Sequence, residues 1–286
     1  MKKIFLIIWA DPKFYHTLIF LSQKLSKNNN KVYILPRNIP KNKEIIKKIN
    51  FGKKVKILKY PKFLTLLNNF LEYIIFNFYL LYKYLKKKPD TIIFFNQKGL
   101  LTSLILRKYS RNTQFIYHNF DFESINKNLS LFKKALITLE LYCSKFCDYL
   151  VFPSAKRAKI FKKISNNSRS KYLSLMNCFP KNHYQTQTDQ FNLFLTKKKF
   201  LKKKVICHLG SIGPNHYLEE IIKSFQFTNN NTILVIGGVS ISLYSLKLKI
   251  LINKLNLKNK VFIFKGISNE YWFNILRNSS IGVCFY

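Results

Sequence analysis

Short apolar runs alternate with stretches of helical period along the whole chain. Ile4–Ile8, Val32–Leu35, Val55–Leu58, Thr91–Phe95, Gln114–Tyr117 and Tyr149–Phe152 read as strands. Tyr15–Lys27, Phe63–Lys86, Leu100–Tyr109 and Leu129–Cys147 read as helices between them. Strands separated by helices predict a parallel sheet covered on both faces. The pattern resumes with strands at Val205–Leu209, Ile233–Ile236, Val261–Lys265 and Ile281–Phe285, and helices near Leu218–Phe225, Leu246–Leu255 and Asn269–Arg277. Between the two regions, periodicity is lost in a polar tract at Asn182–Gln190 followed by lysines, which reads as a linker. The expected organisation is α/β, with domains at 1–180 and 205–286 joined by 181–204.

Parallel sheets bind ligands beyond the carboxyl ends of their strands. That rule directs attention to Trp9–Asp11, Asn96–Gly99, His118–Glu123 and Pro153-Ser154 in the first region. In the second, Val205–Gly238 reads as a strand, a turn at Gly210 and Gly213, a helix, and a second strand ending in Gly237-Gly238. Backbone amides at the start of such a helix can receive a phosphate.

Composition sharpens the picture. Hydrophobic residues make up 48% of 286 and aromatics 16%, enough for packed cores and too much for a disordered chain. The formal net charge of +38 favours polyanionic ligands or lipid phosphates. Nucleic acid fits less well, because the lysines fall in scattered clusters (Lys86–Lys88, Lys197–Lys199, Lys202–Lys204) with no recognisable binding motif. Richness in Asn, Ile, Phe, Tyr and Lys also matches the bias of AT-rich codons. The cysteines at 143, 147, 178, 207 and 284 form no paired framework and no metal-ligand spacing, and read as small buried hydrophobes in a reducing compartment. The Asp121-Phe122-Glu123 triplet could hold a divalent cation, but a polar rim or acceptor contact is the favoured reading.

The start, MKKIFLIIWADPKF, resembles a signal peptide in its lysines and apolar core, yet Asp11-Pro12 stands where a small-residue cleavage site belongs. A buried first strand is expected. Phe63–Leu85 approaches the length of a membrane span, but Asn68, Asn69, Glu72 and Asn77 interrupt it, so a half-buried or membrane-surface helix is expected instead.

In order and spacing, these pieces resemble the GT-B glycosyltransferases, family 4 in particular. DPKFYHTLIFLSQKLSKNNNKVYIL resembles that family's opening loop, helix and second strand, and FIYHNFDFES its histidine loop. CDYLVFPSAKRAKIF resembles the strand and helix before the domain junction, with Asn177 and Pro180 at the exit. HLGSIGPNHYLEEIIKSF resembles the Gly-rich turn and helix of the second domain, TILVIGG its next strand, and VFIFKGISNEYWFNILRNSSIGVCFY the strand, helix and strand after that. The resemblance implies two Rossmann-like domains facing a cleft, the second incomplete here. It also implies a sugar-nucleotide donor held mainly by the second domain and a glycan or lipid-linked acceptor held mainly by the first. The nucleotide sugar is then a substrate, and no cofactor or metal is expected, with anomeric configuration retained.

Residue by residue, the resemblance places the donor diphosphate near Gly210, Ser211, Gly213 and His216, and the nucleobase near Lys265-Gly266. His118 matches the histidine near the reacting centre, and it also follows a strand at the expected binding edge. Asp11, Asp121 and Glu123 are acceptor-side candidates. His16 and His183 read as bystanders and His208 as structural. The chain departs from the family at His216, where a stronger base is usual, and at Tyr217, where glycine is usual. It also stops before the Glu-x7-Glu element, which reads as truncation. Cytoplasmic residence is expected, with peripheral contact at the inner face of an anionic plasma membrane during envelope polysaccharide synthesis. Two other classes compete: an inactive transferase-like partner subunit and a basic nucleic-acid-binding protein.

Overall fold

The computed structural model describes residues 1–12, 15–37, 51–58, 60, 69–110, 112–120, 129–176, 189–240 and 242–284. The chain divides into two units, Met1–Phe179 and Pro180–Tyr286.

Unit 1 is built on seven parallel strands: β1 (Lys3–Ile8), β2 (Lys31–Pro36), β3 (Val55–Ile57), β4 (Thr91–Phe95), β5 (Gln114–His118), β6 (Tyr149–Phe152) and β7 (Lys171–Ser174). Their order, β3-β2-β1-β4-β5-β6-β7, is that of a doubly wound sheet that reverses direction between β1 and β4. Alternate residues of β1 feed opposite faces. Ile4, Leu6 and Ile8 join Leu18 and Ile19 of α1 (His16–Lys27) on one side. Phe5 and Ile7 join the core on the other side, beneath the remaining helices. These helices are α2 (Asn69–Lys87), α3 (Asn96–Leu101), α4 (Ser103–Tyr109), α5 (Leu131–Ser144) and α6 (Ala155–Ser165).

Three differences from expectation have local causes. The helix expected at Leu100–Tyr109 starts earlier, at Asn96, and breaks at Thr102. Gly99 lets α3 lie against the sheet, since a Cβ there would sit 3.2 Å from the carbonyl oxygen of Ile7. Strand β7 has no apolar run to betray it, because it is an edge strand with mostly exposed side chains. The polar residues of α2 point inward: Glu72 is buried and ion-paired with Arg37, and the Asn77 amide donates to the Tyr73 carbonyl. Residues 63–68 of that expected helix lie outside the described residues. Among the described residues, no helix is long and apolar enough to cross a membrane.

Unit 2 has four parallel strands in the order β10-β9-β8-β11: β8 (Lys204–Ile212), β9 (Thr232–Ser240), β10 (Val261–Lys265) and β11 (Ile281–Gly282). One face is covered by α8 (Leu218–Ser224) and α9 (Ser242–Lys254), with Leu218, Ile222, Leu234, Ile236 and Leu248 at its centre. The other is covered by α10 (Asn269–Arg277) and by α7 (Gln190–Lys197). Helix α7 corrects the reading of 181–204 as linker. Phe191, Phe194 and Leu195, spaced for one helix face, pack into the core with Val205 and Val235. The Asp189 carboxylate caps the helix by accepting from the Asn192 amide at 2.9 Å. The flanking polar and lysine residues hid this short apolar face.

Candidate functional site

The carboxyl ends of β8, β9 and β10 form the first candidate. Strand β8 does not turn at Gly210, as expected, but runs on through Ser211 to Ile212 beside Gly238–Ser240 of β9. Glycine makes this extension possible. A Cβ on Gly238, whose φ is +151°, would lie 1.6 Å from the Gly210 carbonyl oxygen. The ladder continues on the other side, where the Gly266 amide donates to the Gly238 carbonyl at 2.8 Å and Gly266 itself has φ +60°. Gly210 and Gly238 thus pair at one level of β8 and β9, with Lys265 opposite Gly238 on β10 and Gly266 just beyond the end of that strand. Gly210, Ser211, Lys265 and Gly266 are exposed there, and Gly213 is buried.

The turn comes after Gly213, as a 3-10 turn over Pro214–His216. Tyr217 follows in the left-handed region, φ +50°, at the position where the family resemblance leads one to expect glycine. Helix α8 then carries Glu219 and Glu220 in its first turn, with Lys247 Nζ 3.0 Å from Glu219 Oε1.

His216 lies with its ring centroid 5.7 Å from that of His208. His208 is buried, its Nδ1 3.1 Å from the Val283 carbonyl and its Nε2 3.4 Å from the Ser211 carbonyl. Burial lowers its pKa, two carbonyl contacts oppose that, and the neighbouring His216 adds to the lowering. His208, read as a structural strand residue, ties the Ser211 carbonyl to that of Val283. Gly238 was the omission. Its signal was available: Gly210, Gly238 and Gly266 recur at equal intervals in the sequence, the first two within β8 and β9 and the third directly after β10.

His118, the last residue of β5, is the candidate of unit 1. It is 4% exposed and packed between Phe95 and Phe120, at ring separations of 5.4 and 4.7 Å. Burial disfavours the imidazolium and drives the pKa down to about 4, so the ring is neutral at physiological pH. Its Nδ1 is buried and has no hydrogen-bond partner among the described residues. Next to it, the Asn119 amide and the Tyr117 hydroxyl donate to Glu140 Oε1 at 2.9 and 2.6 Å, while Gln97 donates to Oε2 at 2.9 Å. This buried carboxylate fixes the strand end that presents His118. Burial raises the Glu140 pKa and the three hydrogen bonds oppose that rise.

Asp11 is half-buried beyond β1. Asp121 and Glu123 lie outside the described residues. Among the described residues, no three His, Cys, Asp or Glu side chains gather as a metal site. Cys143 and Cys147 are buried in the core, their thiol pKa values pushed up by burial.

No protein-family model matches the sequence, and no curated protein does. Solved structures match the fold. HepE from Anabaena, in complex with UDP-glucose, superimposes with a TM-score of 0.75 and 15% identity over 99% of this chain and 73% of that one. Sucrose-phosphate synthase from Thermosynechococcus elongatus gives 0.73 and 13% over 99% and 75%. A glycosyltransferase from Rickettsia africae gives 0.69 and 13% over 98% and 72%. The chain has the GT-B fold, with a Rossmann-like sheet in each of its two units.

Proposed function

We propose that this protein is a glycosyltransferase that moves a sugar from a nucleotide-sugar donor to a glycan or lipid-linked acceptor. One observation carries the reading: a GT-B fold whose second sheet ends in the paired glycines Gly210 and Gly238, with Gly266 directly after the neighbouring strand. A polyanion can approach peptide groups closely only where no Cβ intervenes.

In this reading the donor diphosphate lies along Gly210, Ser211 and Gly213, with His216 supplying a hydrogen bond. Lys265 and Gly266 meet the nucleoside. His118, neutral, acts on the donor sugar as a hydrogen-bonding group and not as an acid. Asp11, Asp121 and Glu123 belong to the acceptor side. During transfer the bond from C1 to the diphosphate breaks, an acceptor hydroxyl oxygen bonds to C1, and the hydroxyl proton passes to the departing diphosphate. Charge therefore develops on the diphosphate, and its stabilisation is the main task of the backbone around Gly210. The reading includes action without a divalent cation, retention of configuration, and work in envelope polysaccharide assembly at the cytoplasmic side of a membrane.

Thermal shift with UDP, GDP, ADP and their sugars tests the core of it. Selective stabilisation by one diphosphate, followed by its release from the sugar when acceptor is supplied, is the expected result. No shift in a folded protein with any of them would sink the reading. A second reading, an inactive transferase-like partner, draws on Glu219 and Glu220 in the first turn of α8, which oppose an anion there. Binding of a nucleotide sugar without turnover, even with EDTA-free divalent cation and acceptor supplied, would favour it.

A further inference from the structure

The helical layer of unit 1 that contains α2, α4 and α5 is apolar on its outer surface. Helix α2 buries Phe76, Leu80 and Tyr84 together with Glu72 and Asn77, and still carries Phe70, Ile74, Phe78, Tyr82 and Leu85 as one exposed stripe at helical spacing. Phe70 is 73% exposed and Phe78 61%. Helix α4 packs against α2, and α3 links it to α5, so the stripes stand side by side. Helix α4 adds Leu104 and Tyr109; α5 adds Leu131, Phe132, Leu139 and Tyr142, with Leu131 84% exposed. Helix α1, on the opposite face of the same sheet, exposes no large apolar side chain among its described residues.

Lysines border this surface. Lys83, Lys86 and Lys87 close α2, Lys108 lies on α4, and Lys133 and Lys134 open α5. Lys83 sits over the Tyr79 and Tyr82 rings at 5.1 and 4.9 Å, an amphipathic arrangement suited to a boundary between hydrocarbon and charged headgroups. A scatter of single exposed apolar residues is ordinary; a contiguous layer of them edged by one sign of charge is not.

We infer that this face docks on an anionic lipid surface, with the stripe side chains among the acyl chain ends and the lysines against lipid phosphates. The charge argues for that occupant. A second copy of a chain carrying +38 would be repelled, whereas an anionic bilayer is attractive. The inference rests on unit 1 alone and stands whether or not the transferase reading holds.

Flotation of the full chain with phosphatidylcholine vesicles and with vesicles containing phosphatidylglycerol tests it. Binding to the anionic vesicles only, weakening as salt shortens the screening length from ~10 Å at 0.1 M to ~3 Å at 1 M, is expected. Phe70→Glu and Phe78→Glu, both at exposed positions, should each lower partitioning ~tenfold. Leu243→Glu with Ile250→Glu, on exposed α9 positions of unit 2, should leave it unchanged. Circular dichroism checks that each variant folds. Failure to bind at low salt overturns the inference. So does equal binding by the α2 variants, which would mean undirected attraction of a basic protein. A dimer in solution that those variants dissociate would assign the face to self-association instead.

Discussion

Gly238 and Gly210 face each other across β8 and β9 so closely that a Cβ on Gly238 would fall 1.6 Å from the Gly210 carbonyl oxygen. The reverse is not true. A Cβ on Gly210 meets only His208 Nε2, at 3.9 Å, an ordinary contact. The pair therefore separates folding from binding. Gly238→Ala should destabilise by at least ~3 kcal/mol, because the backbone must move and a positive φ is lost. Gly210→Ala should leave stability within ~0.5 kcal/mol of wild type while weakening nucleotide binding. Urea unfolding and calorimetric titration of the two variants check both halves.

Tyr217 occupies the left-handed region at φ +50° and is mostly exposed. For a tyrosine this costs on the order of 1 kcal/mol, and asparagine tolerates it better. Tyr217→Asn is expected to raise unfolding free energy by ~0.5–1 kcal/mol. A fall in stability would show that the ring's own contacts outweigh the backbone strain.

His118 predicts an acid limb in the stability profile. Its folded pKa of about 4 lies below the ordinary 6.5, so the unfolded chain binds the proton first as pH falls. Stability from this group is complete above pH 6.5 and is lost between 6.5 and about 4, then levels off. The total loss is about 3 kcal/mol. His118→Phe should flatten this limb, measured by urea unfolding at pH 7 and across the acid window. Proton NMR of the imidazole would give the pKa directly. A value at or above 6.5 contradicts the burial described here.

Glu140 gathers the Tyr117 hydroxyl and the amides of Asn119 and Gln97 in the core. Glu140→Ala strands these donors and should cost ~3–5 kcal/mol. Glu140→Gln keeps two acceptor sites and much of the packing, and should cost less. If both cost under ~1 kcal/mol, the cluster is not holding the end of β5.

The central strands were legible because a strand buried on both faces must be apolar throughout, as Ile4–Ile8 and Ile233–Ile236 are. Elements at the margins were not. Strand β7 pairs through its backbone while all of its side chains but Tyr172 are exposed, so its sequence carries no periodic signal. Helix α7 shows only Phe191, Phe194 and Leu195 amid lysine and polar residues. Within the candidate site, Gly210 and Gly213 were singled out from the pattern, and Ser211, His216, Lys265 and Gly266 from the family resemblance. The continuation of β8 through Gly210-Ser211 was not, because it depends on a partner strand remote in sequence. The same holds for His208: only the fold brings the carbonyls of Val283 and Ser211 to its ring. Helix α2 was expected to be half-buried, as it is, but its exposed stripe was not read from the sequence, for a related reason. Composition gave its polar interruptions but not the side to which they turn.

The glycine cluster has a thermodynamic corollary. Its three members, two in β8 and β9 and one directly after β10, lie far apart in sequence, so the surface does not exist in a chain whose sheet has come apart. A ligand that requires it binds the folded form alone. Its binding free energy is then added to folding, growing as RT ln(1 + [L]/Kd) and reaching about 2.7 kcal/mol at a hundredfold excess over Kd. Supply of that ligand would set how much of this protein persists in folded form.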